Sequence, residues 1–138
     1  MGLYVEELSV PAGTPENSPV TKKIRLEPGV LKKIEVLFPF GCNCLVKVKI
    51  KRGGKVIVPA NADMWLVGNG ETVSIELLLE ELAEPFELEL VACSPNTQYD
   101  HTIYFRFHIV PPEIAFPEKR IEKFLQEIAK RLIARRIE

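Results

Sequence analysis

From Val20 to Val110 apolar and polar residues alternate in run after run, and each run is cut by proline, glycine or asparagine. Successive residues of an extended chain point to opposite sides. A period of two therefore writes one buried and one wet face onto a strand. Leu45–Lys51 is the cleanest run: Val46, Val48 and Ile50 face a core, and Lys47, Lys49 and Lys51 face water. Arg52-Gly53-Gly54-Lys55 follows, with glycines for the positive φ of a tight hairpin. The same reading gives strands over 3–10, 20–27, 33–38, 55–58, 64–67, 72–79, 86–93 and 101–110. Nine short strands with no helix among them predict an all-β fold. An antiparallel β-sandwich, jelly-roll or immunoglobulin-like, fits best. At 138 residues and 46% hydrophobic, the chain can fill such a core without disulfides or metal.

After Val110 the period changes. Pro111–Pro117 reads as a stiff extended linker. Ile121, Phe124, Leu125, Ile128, Leu132 and Ile133 then recur at helical spacing. Pro117 and Glu118 suit a first turn, and Lys130, Arg131, Arg135 and Arg136 suit a last one. The expected organisation is a sandwich over 1–110, a linker over 111–117 and an amphipathic helical arm over 118–138. A sandwich covers its own core, so the arm is expected to dock on a neighbouring subunit through those six apolar residues.

The net charge of −1 hides a segregation. From Val20 to Val58 stand ten basic residues (Lys22, Lys23, Arg25, Lys32, Lys33, Lys47, Lys49, Lys51, Arg52, Lys55) and two acidic ones (Glu27, Glu35), a net of +8. From Pro59 to Asp100 stand nine acidic residues and no basic one, a net of −9. Two readings are open. Basic strands lie beside acidic strands in one sheet, which stabilises mildly. Alternatively the subunit has one positive and one negative face, with Lys47, Lys49 and Lys51 opposed to Glu76, Glu87 and Glu89 in head-to-tail contacts. Nucleic acid is not an expected partner, because the lysines are not interleaved with surface aromatics and the chain is not basic overall. A lysine-rich strand also protects a sheet edge.

Catalytic chemistry finds no support. Cys42, Cys44, Cys93 and His101 are metal-binding types, but Cys-x-Cys is not the usual knuckle spacing, so no metal or cofactor is expected. Cys93 or Ser94 with Asp100 and His101 lists the types of a triad, yet adjacent residues on an extended chain diverge. There is no nucleophile elbow and no glycine-rich phosphate loop. An enzyme is not expected. The three cysteines read as buried free thiols, with a Cys44–Cys93 bridge open if their strands meet. The loops carrying Asn61, Asp63 and Trp65, and Tyr99, are where a glycan would bind; the bulk of Trp65 favours the core instead. Met1–Glu7 has no secretory pattern, and no apolar run is long enough to span a bilayer. Localisation is otherwise not readable. Few amide side chains, many Glu and Lys, and eleven prolines fit a heat-adapted source.

The segments Gly29–Pro39, Gly41–Val46, Pro59-Ala60-Asn61 and Asn96–Ile103 resemble small uncharacterised β-sandwich proteins encoded among phage and virus structural genes. The resemblance covers about 20–110 and leaves the helix outside. It implies a virion or particle component and carries over no site residues. The expected function is a structural self-assembly protein, a decoration or shell component of a capsid. The alternative is a carbohydrate- or ligand-binding module using the Trp65 and Tyr99 loops.

Overall fold

A computed structural model describes the backbone of residues 2–137 and their side chains except those at 119, 120, 136 and 137. Eight strands form two four-stranded antiparallel sheets. They are β1 (Gly2–Val10), β2 (Val20–Leu26), β3 (Gly29–Phe38), β4 (Lys47–Arg52), β5 (Lys55–Val58), β6 (Glu71–Glu81), β7 (Phe86–Cys93) and β8 (His101–Val110). One sheet has the order β1-β8-β3-β6 and the other β2-β7-β4-β5. First strand pairs with last, second with seventh, third with sixth and fourth with fifth. This nested pairing is the jelly roll, which decides between the two expected sandwiches.

The expected alternation holds on both sheets. Ile34, Val36, Phe38, Ile103, Phe105 and Phe107 point inward from one sheet, and Ile24, Val48, Ile50, Phe86, Leu88 and Leu90 from the other. These twelve are at most 5% exposed, so the core closes between the sheets. Among the described residues no buried side-chain nitrogen or oxygen lacks a hydrogen-bond partner. That absence removes one of the largest costs of burying a polar group.

The ninth expected strand, over 64–67, is a single bridge. Leu66 and Val48 exchange backbone hydrogen bonds of 2.9 Å in each direction. β5 pairs with the last three residues of β4, Ile50 to Arg52, and ends at Val58, before Pro59, which has no N–H to give. The chain makes a turn and returns to β4 at Leu66 only. β4 is thus an inner strand between β7 and β5, and its lysines do not guard an edge.

The linker also differs from expectation. It is not extended throughout: Pro112–Ala115 form one helical turn, α1, and Ala115 and Phe116 N–H donate to the Pro111 and Pro112 carbonyls. Proline at the first helical position has no orphan N–H and a preset φ, so Pro112 starts this turn as readily as it would extend the chain. α2 follows over Pro117–Ile137. The loops 11–19, 39–46, 59–70 and 94–100 gather at one end of the sandwich, and the helices leave from the other, after Val110.

Candidate functional site

Among the described residues, α2 is the element least covered by the rest of the fold. Every described residue of it is exposed. Ile121, Phe124, Leu125, Ile128, Leu132 and Ile133 stand between 39% and 62% exposed. Their spacing places them on one stripe of about 20 Å at 1.5 Å per residue. α1 packs against β3 and against the start of α2, and a shallow groove between the helices is lined by Glu113, Ile121, Lys123, Phe124 and Glu127. The sandwich core contains no α2 residue among those described. Contiguous exposed apolar surface of this kind marks an interaction site in a folded protein. No helix is long and apolar enough to cross a membrane among the described residues. The basic last turn holds Lys130, Arg131 and Arg135; the Arg136 side chain lies outside the described residues.

Basic and acidic strands are interleaved, as in the first of the two readings, while the outer face of β2, β7 and β4 keeps five basic residues (Lys23, Arg25, Lys47, Lys49, Lys51) against two acidic ones (Glu87, Glu89). In register, Lys23 on β2, Glu89 on β7 and Lys51 on β4 form one row across the sheet. In the next, Arg25 Nη2 lies 2.9 Å from Glu87 Oε1. Lys33 faces Glu76 across β3 and β6. Lys47 pairs with Glu16 at 3.8 Å, and Arg52 pairs with Glu81. Lys49 donates to the Ala62 carbonyl at 2.8 Å and lies 4.3 Å from the centre of the Trp65 ring. The cause is topological. Nested jelly-roll pairing lays early strands beside late ones, so a basic first half and an acidic second half become neighbours.

On the outer face of the other sheet, Glu35 accepts from His108 Nε2 at 2.7 Å and lies 3.4 Å from Arg106 Nη2. The His108 hydrogen bond, together with Arg106 and Lys33, holds the Glu35 carboxyl below the usual carboxylate range, against the opposing effect of burial. Sequence reading missed this network. All three residues occupy outward positions of their strands, but nothing in the sequence reveals that β3 and β8 are adjacent.

The loop end holds the remaining sequence candidates. Tyr99 is 74% exposed and, with Gly41, Asn43, Leu45, Asn96, Thr97, Gln98 and His101, surrounds a depression of about 450 Å³. Neighbouring Phe40 is 86% exposed. Asn43 and Cys44 both have positive φ, 48° and 60°, and the Asn69 side-chain oxygen accepts from the Gly41 and Asn43 N–H groups. This braces an unfavourable backbone from below. Asn61, Asp63 and Trp65 do not line the depression. Trp65 is half-buried outside the core, which corrects the expectation of a core tryptophan. Leu66 takes the inward place beside it and packs on the core, so alternation turns Trp65 outward beneath Lys49.

All three cysteines are free. Cys42 and Cys93 are buried, and burial raises both thiols above their ordinary range. Cys44 is exposed, against expectation, because the 39–46 segment is a turn and not the start of a strand. The Asp100 carboxylate accepts the Ala12 N–H at 2.8 Å, and Ser94 Oγ donates to the Pro11 carbonyl at 2.8 Å. Both groups fasten the 11–19 loop to the 94–100 loop, Ser94 just after β7 and Asp100 just before β8. Among the described residues no three His, Cys, Asp or Glu side chains gather as metal ligands would.

No protein-family model matches the chain, and no curated protein sequence matches it.

Proposed function

We propose that this protein is a structural subunit that self-assembles, with the jelly roll as its body and α2 as an arm that docks on a neighbouring subunit. One observation carries the reading. Six large apolar side chains of α2 stay exposed while the sandwich closes its core without them. Fully burying an aliphatic or aromatic side chain is worth about 1.5–3 kcal/mol, so a surface of six is a strong drive to associate. The resemblance of the 20–110 segment to small uncharacterised β-sandwich proteins encoded among phage and virus structural genes supports a more specific assignment, a coat or decoration component of a particle. Apolar burial by the six α2 side chains is the main drive expected for these contacts.

Light scattering on the intact chain over a concentration series tests this, with electron micrographs of the same samples. Association that rises with concentration and survives about 0.5 M salt, where screening lengths are a few Å, is the expected result. A protein that stays monomeric at several hundred micromolar would refute it.

A second reading has its own observation. Asn43, Asn96 and Gln98 surround exposed Tyr99, and amides beside an aromatic ring are the groups that hold a neutral sugar. Binding of neutral oligosaccharides that is abolished by Tyr99→Ala would establish it. Binding unaffected by that change would exclude this depression.

A further inference from the structure

Resting on the assembly reading, we infer that the occupant of the α2 stripe is the same helix of a second copy, packed antiparallel about a two-fold axis near Ile128. The sequence of α2 is polarised. Glu118, Glu122 and Glu127 lie in its first half, together with three basic residues. From Ile128 to Ile137 it carries Lys130, Arg131, Arg135 and Arg136 and no acid. A parallel pair would set the two basic halves side by side along their length. An antiparallel pair sets each basic half against the half that holds the acids.

The residue levels agree. With the axis near Ile128, that residue meets its own copy, and Leu125 of each helix comes level with Leu132 of the other to within about one residue rise. Glu127 comes level with Ala129 and lies about two residue rises from Arg131 on the same flank of the pair, since a two-fold between antiparallel helices returns each flank to itself. Neither Glu127 nor Arg131 forms an ion pair within the chain among the described residues. The contact is isologous and closes on itself, which is the commonest way for a pair of identical chains to associate.

The alternative occupant within a second copy is a sheet face, and the exposed face of the β1-β8-β3-β6 sheet fits poorly. Across its rows, Leu3 is followed by His108, Lys33 and Glu76, and Val5 by Arg106, Glu35 and Ser74. Of the exposed apolar residues, Leu3, Val5 and Leu78 sit on the two edge strands and Tyr104 on inner strand β8, and the Glu35–His108–Arg106 network occupies the middle of the face. An apolar helix laid there would strip water from three interacting polar groups and return nothing to them. The stripe of α2 meets no such obstacle in its own image.

Spin labels measure the arrangement. A Cys44→Ser, Glu118→Cys chain leaves only the buried Cys42 and Cys93 beside the labelled site. Antiparallel pairing separates the two labels by about 30–35 Å, because each lies about ten residues from the axis. Ile128→Asp in the same background should abolish that distance and leave the melting temperature of the sandwich unchanged. A short distance, under about 20 Å, would overturn the antiparallel arrangement in favour of a parallel one and leave self-assembly standing. An associating protein that shows no defined distance between the labels, or one in which Ile128→Asp changes nothing, would overturn the helix pair and again leave assembly standing. A monomer at every concentration would overturn both readings. A monomer that binds phosphatidylcholine–phosphatidylserine vesicles through α2 would do the same and assign the stripe to lipid.

Discussion

Reversing the charge of Glu89 tests the interleaved sheet directly. Glu89 stands in register between Lys23 on β2 and Lys51 on β4. Glu89→Lys puts three cations in one row. Residues directly opposed on an antiparallel sheet have Cβ atoms about 5 Å apart, and exposed pairs at that spacing contribute roughly 0.2–1 kcal/mol. The substitution removes two attractions and creates two repulsions. Taking about 0.3–0.5 kcal/mol for each of these four changes gives a loss of about 1–2 kcal/mol. In urea, with a slope of about 1–2 kcal/mol per molar, the midpoint should fall by roughly 0.5–1 M. Glu7→Lys is the matched control. It makes the same change in net charge on a strand where the register neighbour is Tyr104, so its effect should stay within about 0.5 kcal/mol. At about 1 M sodium chloride the Debye length is near 3 Å, and most of the Glu89→Lys deficit should vanish. A deficit equal to that of Glu7→Lys, or one indifferent to salt, would refute the ladder.

Three further outcomes follow from the structure. Glu35 is held below its ordinary pKa in the fold, so the stability it contributes is present above the unfolded carboxylate range and lost as pH falls through the lowered value. Glu35→Gln should therefore flatten the acid limb of a stability–pH curve and leave its alkaline limb alone; an unchanged acid limb would contradict the His108–Glu35–Arg106 network. Gly68→Ala should cost about 1–3 kcal/mol by calorimetry or denaturant, because its new Cβ would stand 2.7 Å from Cδ2 of Phe38, which is fully buried and has nowhere to go. A thiol reagent should modify one cysteine per native chain, Cys44, and three after unfolding; rapid modification of two or three in the native protein would contradict the burial of Cys42 and Cys93.

The sequence was most informative where a pattern is local. Alternation in β4, β8 and the first half of β7 set their buried faces residue by residue, and the helical spacing of Ile121 to Ile133 placed the arm and its stripe. Pairing is not local, and it was there that reading failed. Charges that run +8 and then −9 along the chain leave two readings open until the nested strand order lays Lys23 and Lys51 on either side of Glu89. Trp65 looked like core because of its size, yet the inward place belongs to Leu66, and only the bridge to Val48 reveals that. Cys44 read as a buried thiol like Cys42 and Cys93, whereas two successive left-handed residues, Asn43 and Cys44, make the segment a turn and leave Cys44 exposed. Around Tyr99, the Asn and Gln residues carried a turn signal, and their convergence on one depression depends on two loops distant in sequence.

The central claim is that α2 joins copies of this chain and is not needed to fold it. Sedimentation equilibrium on the intact chain and on a chain ending at residue 116, from about 1 to 500 μM, tests this most directly. The account predicts that the intact chain associates, that the shortened chain is monomeric throughout, and that the two share a melting temperature at concentrations where both are monomers. A monomeric intact chain, undiminished association after removal of α2, or a shortened chain that fails to fold would contradict it.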